Sequence, residues 1–167
     1  MARAYQFHRE TKASAKASME AVFAFMDDPA RLGAHMGRHT AMMGGAVMRT
    51  EMDAGHGQTV GSVIRMAGSW LGLALSLEEV VDERAPVHRK AWETRGQPRL
   101  LVIDQYRMGF DLAPDACCTT LRVWIDYNLP RSGVQRWLGQ VLGHYYAQWC
   151  TQQMAQETAR SFSDPPL

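Results

Sequence analysis

The sequence predicts an α+β fold in which a seven-stranded antiparallel curved sheet wraps a long C-terminal helix, with two short helices after the first strand. Three observations predict it. Residues from about 40 to 129 are repeatedly strand-like and broken by turn chemistry. Beyond Pro130 the hydrophobic period lengthens to that of a helix. Near the N-terminus, a capping serine and an amphipathic stretch interrupt the strand pattern.

In chain order, residues 5–15 (YQFHRETKASA) read as a first strand. Ser18 caps a helix in which Ala21, Val22, Phe25 and Met26 fall three and four apart, and Asp27-Asp28-Pro29 closes it. Pro29 suits the first turn of a second short helix, PARLGAHM, ending near Gly37. Six strands follow, separated by turns at Asp53-Ala54-Gly55, Gly57, Ala85-Pro86, Gly96-Gln97-Pro98 and Ala113-Pro114-Asp115. Along 100–112, the face Leu100, Val102, Asp104, Tyr106, Met108, Phe110 is expected to look inward. Along 119–129 the inward face is Leu121, Val123, Ile125, Tyr127 and Leu129. The run Leu71–Leu77 reads as an interior strand. The final helix could reach Phe162 before Asp164-Pro165-Pro166 stops it, roughly 45 Å at 1.5 Å per residue. Its apolar stripe of Val134, Trp137, Leu138, Val141, Leu142, Tyr145 and Trp149 is expected to lie on the sheet. Gly139 and Gly143, with Tyr146 and Cys150, occupy the opposite strip, where another backbone can approach: a seat for the short helices or a self-association surface.

The chain has 167 residues, enough for one domain, and no linker or repeat divides it. At 46% hydrophobic and 21% charged it is too apolar for disorder, and its formal charge of +1 gives no field that advertises nucleic acid. Three cysteines, two of them adjacent at Cys117 and Cys118, form no disulfide framework. With a polar N-terminus carrying no export signal, this points to a reducing, cytoplasmic location. The most apolar run, residues 66–77, is too short to span a bilayer.

Order of elements together with the strings SMEAVFAFMDDPARLGAHM, LEEVVDERAPVHRKAWET and LRVWIDYNLP resembles the START/Bet v 1-like superfamily, also called SRPBCC or the polyketide cyclase/dehydrase and lipid-transport group. The resemblance spans roughly residues 5 to 162 and implies a helix-grip fold with a mainly apolar cavity between sheet and helix. Residues suited to line it are Trp92, Asp104, Tyr106, Met108, Phe110, Tyr127, Tyr145 and Trp149, which would otherwise simply fill a core. Superfamily members include aromatase/cyclases, lipid carriers, hormone receptors and chaperone activators, so the fold alone does not choose an activity.

Asp104 stands out as a carboxylate on an apolar strand face, where it requires a partner or a proton. Beside Tyr106, and with His88 as a candidate base, it could serve acid/base catalysis; alternatively it forms an ion pair with Arg65 or Lys90, or sits near the open end of the sheet. His35 and His39, four apart, could hold zinc with His8 or His56, but no Glu or Cys completes a set, and no metal or cofactor is expected. The cysteines lack a neighbouring base, and no phosphate-cradling glycine loop is present. The leading expectation is a protein that binds an apolar or aromatic small molecule such as a polyketide, lipid or quinone. The alternatives are a polyketide cyclase/dehydrase-type enzyme and a protein-interaction module, with a homodimer left open as an assembly.

Overall fold

The structure, a computed structural model, describes residues 4–32 and 47–163. The pair His35 and His39, the expected continuation of the second helix past Leu32, and the Asp164-Pro165-Pro166 stop lie outside the described residues. Strand β1 (Phe7–Ala15) leads into α1 (Met19–Asp27) and α2 (Pro29–Leu32), followed by β2 (Val47–Met52), β3 (Val63–Trp70), β4 (Leu73–Ala85), β5 (Arg89–Arg99), β6 (Tyr106–Asp115) and β7 (Cys118–Tyr127). The C-terminal helix, here α3, has three contiguous parts: α-helical Gly133–Leu138, π-helical Gly139–Gly143 and α-helical His144–Ser161. All seven strands form one antiparallel sheet in the order β1-β7-β6-β5-β4-β3-β2. This is the expected seven-stranded sheet closed by a long helix.

Local chemistry explains the elements. The Ser18 side chain accepts a hydrogen bond from the Ala21 amide, so α1 starts where the cap predicts, and it buries Val22, Phe23 and Met26. β3 and β4 are joined through Leu71 and Gly72, both with positive φ, the two-residue geometry whose twist suits a hairpin. Leu121, Val123, Ile125 and Tyr127 of β7 face inward as expected. Trp124 is also buried, although it points to the other face. Arg89 and Arg107 lie over its ring, and Gly109 leaves room for it, since a Cβ there would meet the ring at 2.7 Å.

Several expectations are corrected. The segment 100–105 is a connection rather than strand, and β6 begins at Tyr106; the chain has to turn between β5 and β6, and apolar alternation does not register a turn. Gly96-Gln97-Pro98 lies within β5. Pairing of β5 with β6 ends at Glu93 and Arg107, so the amide that Pro98 lacks has no strand to serve on that side. Ala113-Pro114-Asp115 similarly belongs to the end of β6.

The largest correction concerns α3. Val134, Trp137, Val141, Leu142 and Tyr145 are exposed, while Gly139, Gly143, Ala147, Cys150, Thr151, Met154, Ala155 and Thr158 are buried. Of the expected apolar stripe Trp149 is buried, at the margin. The helix sits close to the protein body through its glycines: a Cβ on Gly139 would meet Pro130 at 2.7 Å, and one on Gly143 would meet Leu129 at 2.5 Å and the Val102 carbonyl at 2.6 Å. Close approach selects the face with the smallest side chains, whatever the hydropathy of the opposite one. The glycine strip is therefore the seat of α3 on the 100–105 and 128–132 connections.

Candidate functional site

The inner surface of the sheet carries a polar row set by strand register. Glu79 of β4 pairs with Thr94 of β5, Thr94 Oγ1 contacts the backbone of Tyr106 in β6, and Tyr106 pairs with Tyr127 of β7, which pairs with Phe7 of β1. On β4 the inward positions read Leu75, Leu77, Glu79, Val81, all buried, so a carboxyl replaces an aliphatic group in the middle of a core row.

The Tyr106 hydroxyl donates a short hydrogen bond to Glu79 Oε1, and the Trp92 indole also bonds to the carboxyl. Burial pushes Glu79 up to about 7, against the opposing effect of these two donors. Burial and the facing carboxyl raise Tyr106 well above the usual phenol range, so its proton stays on oxygen and remains a donor. From above, α3 brings Tyr146 and Cys150, which are hydrogen-bonded to each other. Burial pushes the Cys150 thiol up to about 12, which makes it a poor nucleophile and a stable thiol. Tyr146 stacks at a tilt beside Trp149, centroids 6.0 Å apart. At the other end of the row, Tyr127 and His144 Nδ1 share a hydrogen bond, and the edge of the His144 ring packs on Phe7.

A second buried polar group fixes α1 to the sheet. Lys90 Nζ, 2% exposed, donates to the Asp27 backbone carbonyl at 2.9 Å and to its carboxylate at 2.8 Å, while Arg84 binds the same carboxylate through two nitrogens. Burial pushes Asp27 up, but Arg84 and Lys90 together outweigh it and hold the carboxyl below its usual range. For Lys90 burial prevails over Asp27 and lowers its pKa.

The structure brings together only some of the residues singled out from the sequence. Trp92, Tyr106, Met108, Phe110, Tyr127 and Trp149 belong to one buried cluster. Tyr145 is exposed on the outer side of α3. Asp104 is half-buried in the β5–β6 connection, where its amide donates to the Asn128 carbonyl at 2.9 Å; it is not on the inner strand face. Its suggested ion-pair partners are engaged elsewhere, Arg65 with Glu78 and Lys90 with Asp27. His88 is exposed in the β4–β5 turn, hydrogen-bonded through its backbone to Leu112, which is six residues or about 20 Å along β6 from Tyr106. Sequence reasoning missed Glu79, and it read Tyr146 and Cys150 as part of a packing strip rather than of the site. The same signal that drew attention to Asp104, an acid within an apolar alternation, was present for Glu79 in Leu75-x-Leu77-x-Glu79-x-Val81.

The sequence matches no protein-family profile and no curated protein. Solved structures do match. The chain superposes on a Thermus thermophilus protein, TTHA0849, with a TM-score of 0.65 at 14% identity, covering 94% of this chain and 99% of that one. It superposes on truncated norcoclaurine synthase from Thalictrum flavum with a TM-score of 0.64 at 13% identity, over 99% and 100%. The Aha1 dimer from Colwellia psychrerythraea gives 0.56 at 13% identity, over 94% and 96%.

Proposed function

From the premise that the chain has the START/Bet v 1-like helix-grip fold, we propose that it binds an apolar or aromatic small molecule between sheet and α3, with Glu79 and Tyr106 as the polar anchor. The observation that carries this reading is Glu79 itself. A carboxyl in the middle of a core row costs several kcal/mol relative to an aliphatic residue, a cost that a role in binding accounts for. Buried titratable groups lined by aromatics are what a ligand site requires. Trp92, Met108, Tyr146 and Trp149 supply the apolar contact, and Phe110 and Tyr127 the floor. With its pKa near 7, Glu79 can donate to a carbonyl or accept from a hydroxyl, which points to a ring or chain bearing one oxygen function.

The same titration favours one second reading, proton transfer of the polyketide cyclase/dehydrase type. A carboxyl poised near neutrality is suited to general acid/base work, and Glu79 with Tyr106 takes the place assigned from sequence to Asp104 and His88. The test is native mass spectrometry of protein purified without detergent from its own cells, followed by extraction and rebinding. A stoichiometric apolar molecule that rebinds at least tenfold more weakly to Tyr106→Phe supports the site. Failure to recover any molecule, with no uptake of an apolar fluorescent probe, overturns it. Rebinding that survives Glu79→Gln, with chemical conversion of the ligand lost, selects the enzyme over the carrier.

A further inference from the structure

We propose that one end of the molecule, formed by the outer face of α3 and the tip of the β3–β4 hairpin, docks on an anionic lipid surface. Because the strands alternate in direction, the β3–β4 hairpin, the β5–β6 connection and the β7–α3 link all lie at the same end of the sheet. The first half of α3 rests on that end through Gly139 and Gly143, which turns its opposite face to solvent.

That face is apolar. Val134 is 75% exposed, Trp137 64% and Tyr145 61%, with Val141 and Leu142 between them. At the hairpin tip Leu71 is 80% exposed, and its φ of 45° is a left-handed conformation that bulky residues seldom occupy. A turn chosen for solubility would carry Asn or Gly there. Scattered exposed apolar residues are ordinary, whereas an apolar helix stripe at the same end of the sheet as an apolar hairpin tip marks an interaction surface.

Charge identifies the partner. Residues 70–73, 96–105 and 128–145 contain Arg99, Arg131 and Arg136 against a single carboxylate, Asp104. An apolar stripe with a tryptophan and a tyrosine, at an end of the molecule where exposed arginines outnumber carboxylates, is the pattern of a helix lying in a membrane interface. A second copy is a poorer fit, because a two-fold contact through this end would bring together two arginine-bearing ends with too few carboxylates to pair them. No helix among the described residues is long and apolar enough to cross a membrane, so the contact would be with the surface. This inference does not depend on what the interior binds.

The experiment is co-sedimentation of the full chain with vesicles of equal parts phosphatidylglycerol and phosphatidylcholine, compared with phosphatidylcholine alone, alongside size-exclusion chromatography with light scattering. Binding to the anionic vesicles is expected to exceed binding to neutral ones at least tenfold and to weaken as salt rises from about 0.1 M to about 0.5 M. Trp137→Ser and Leu71→Ser should each reduce it severalfold, and Arg99→Gln and Arg131→Gln about fivefold each, with unchanged circular dichroism. Equal binding to both vesicle types, or none to either, overturns the proposal. So does a dimer that Trp137→Ser converts to monomer, which would assign the face to a second copy.

Discussion

Glu79 makes the stability of this protein depend on pH in an unusual direction. Its folded pKa of about 7 lies above the ordinary value of 4.5, so the folded state holds a proton that the unfolded chain releases between those values. Stability from this group is therefore intact below about pH 4.5 and is lost as pH rises to 7 and just beyond, by roughly 3 kcal/mol. Urea unfolding at a series of pH values should show that decline in the wild type and a markedly smaller one in Glu79→Gln, where the remainder above about pH 6.5 comes from His8, whose pKa Asp126 and Glu10 raise against burial. Tyr106→Phe removes a donor that lowers the Glu79 pKa, so its decline should move to higher pH. A wild-type profile that rises from pH 5 to 7 would show that Glu79 is ionised when buried. Thiol chemistry offers an independent check: Cys117 and Cys118 border an exposed turn, whereas Cys150 is buried with its pKa raised to about 12. Iodoacetamide at mildly alkaline pH should alkylate the pair and spare Cys150 until the protein unfolds.

Helix α3 shows how packing distance overrides hydropathy. Ala has the better helix propensity, by about 1 kcal/mol, yet Gly143→Ala should destabilise, because the added methyl meets Leu129 and the Val102 carbonyl closer than contact allows. A net cost of about 1–3 kcal/mol in thermal or urea unfolding is expected, and a neutral result would mean that the helix can lift from the 100–105 connection without penalty. The two tryptophans divide along the same line. Trp149→Ala should cost about 3–5 kcal/mol because its ring is buried in the core cluster, while Trp137→Ala should stay within about 0.5 kcal/mol because its ring is in solvent. The outward stripe was legible in the sequence as a stripe, and so was the glycine strip opposite it. The sequence contained no statement of which strip faced the sheet, since a helical period fixes relative angles and leaves the absolute rotation to the partner surface.

Across the molecule, the sheet, α1 and α3 meet around two buried polar groups, the Glu79–Tyr106 pair and the Asp27–Lys90–Arg84 cluster. The cluster ties the end of α1 to β4 and β5, and Lys90→Ala should cost about 3–5 kcal/mol by leaving the Asp27 carboxylate short of its buried cation. Chemical unfolding measures it, and a change below about 1 kcal/mol would show that Arg84 alone satisfies Asp27. Local signals in the sequence determined much of the fold: the Ser18 cap, the inward rows of β6 and β7 from Tyr106 and Leu121 onward, and the order of strands and helices. These depend on near neighbours and on periods of 2 and 3.6 residues, which a single chain displays openly. Only the tertiary structure decided that Glu79 rather than Asp104 is the acid on the inner face of the sheet, that His88 lies a strand's length from Tyr106, and that α3 turns its glycines inward and Trp137 outward. Those facts depend on where strands begin, how they register with one another and how closely a helix can approach. Each is a distance between residues far apart in sequence, which neither composition nor periodicity encodes.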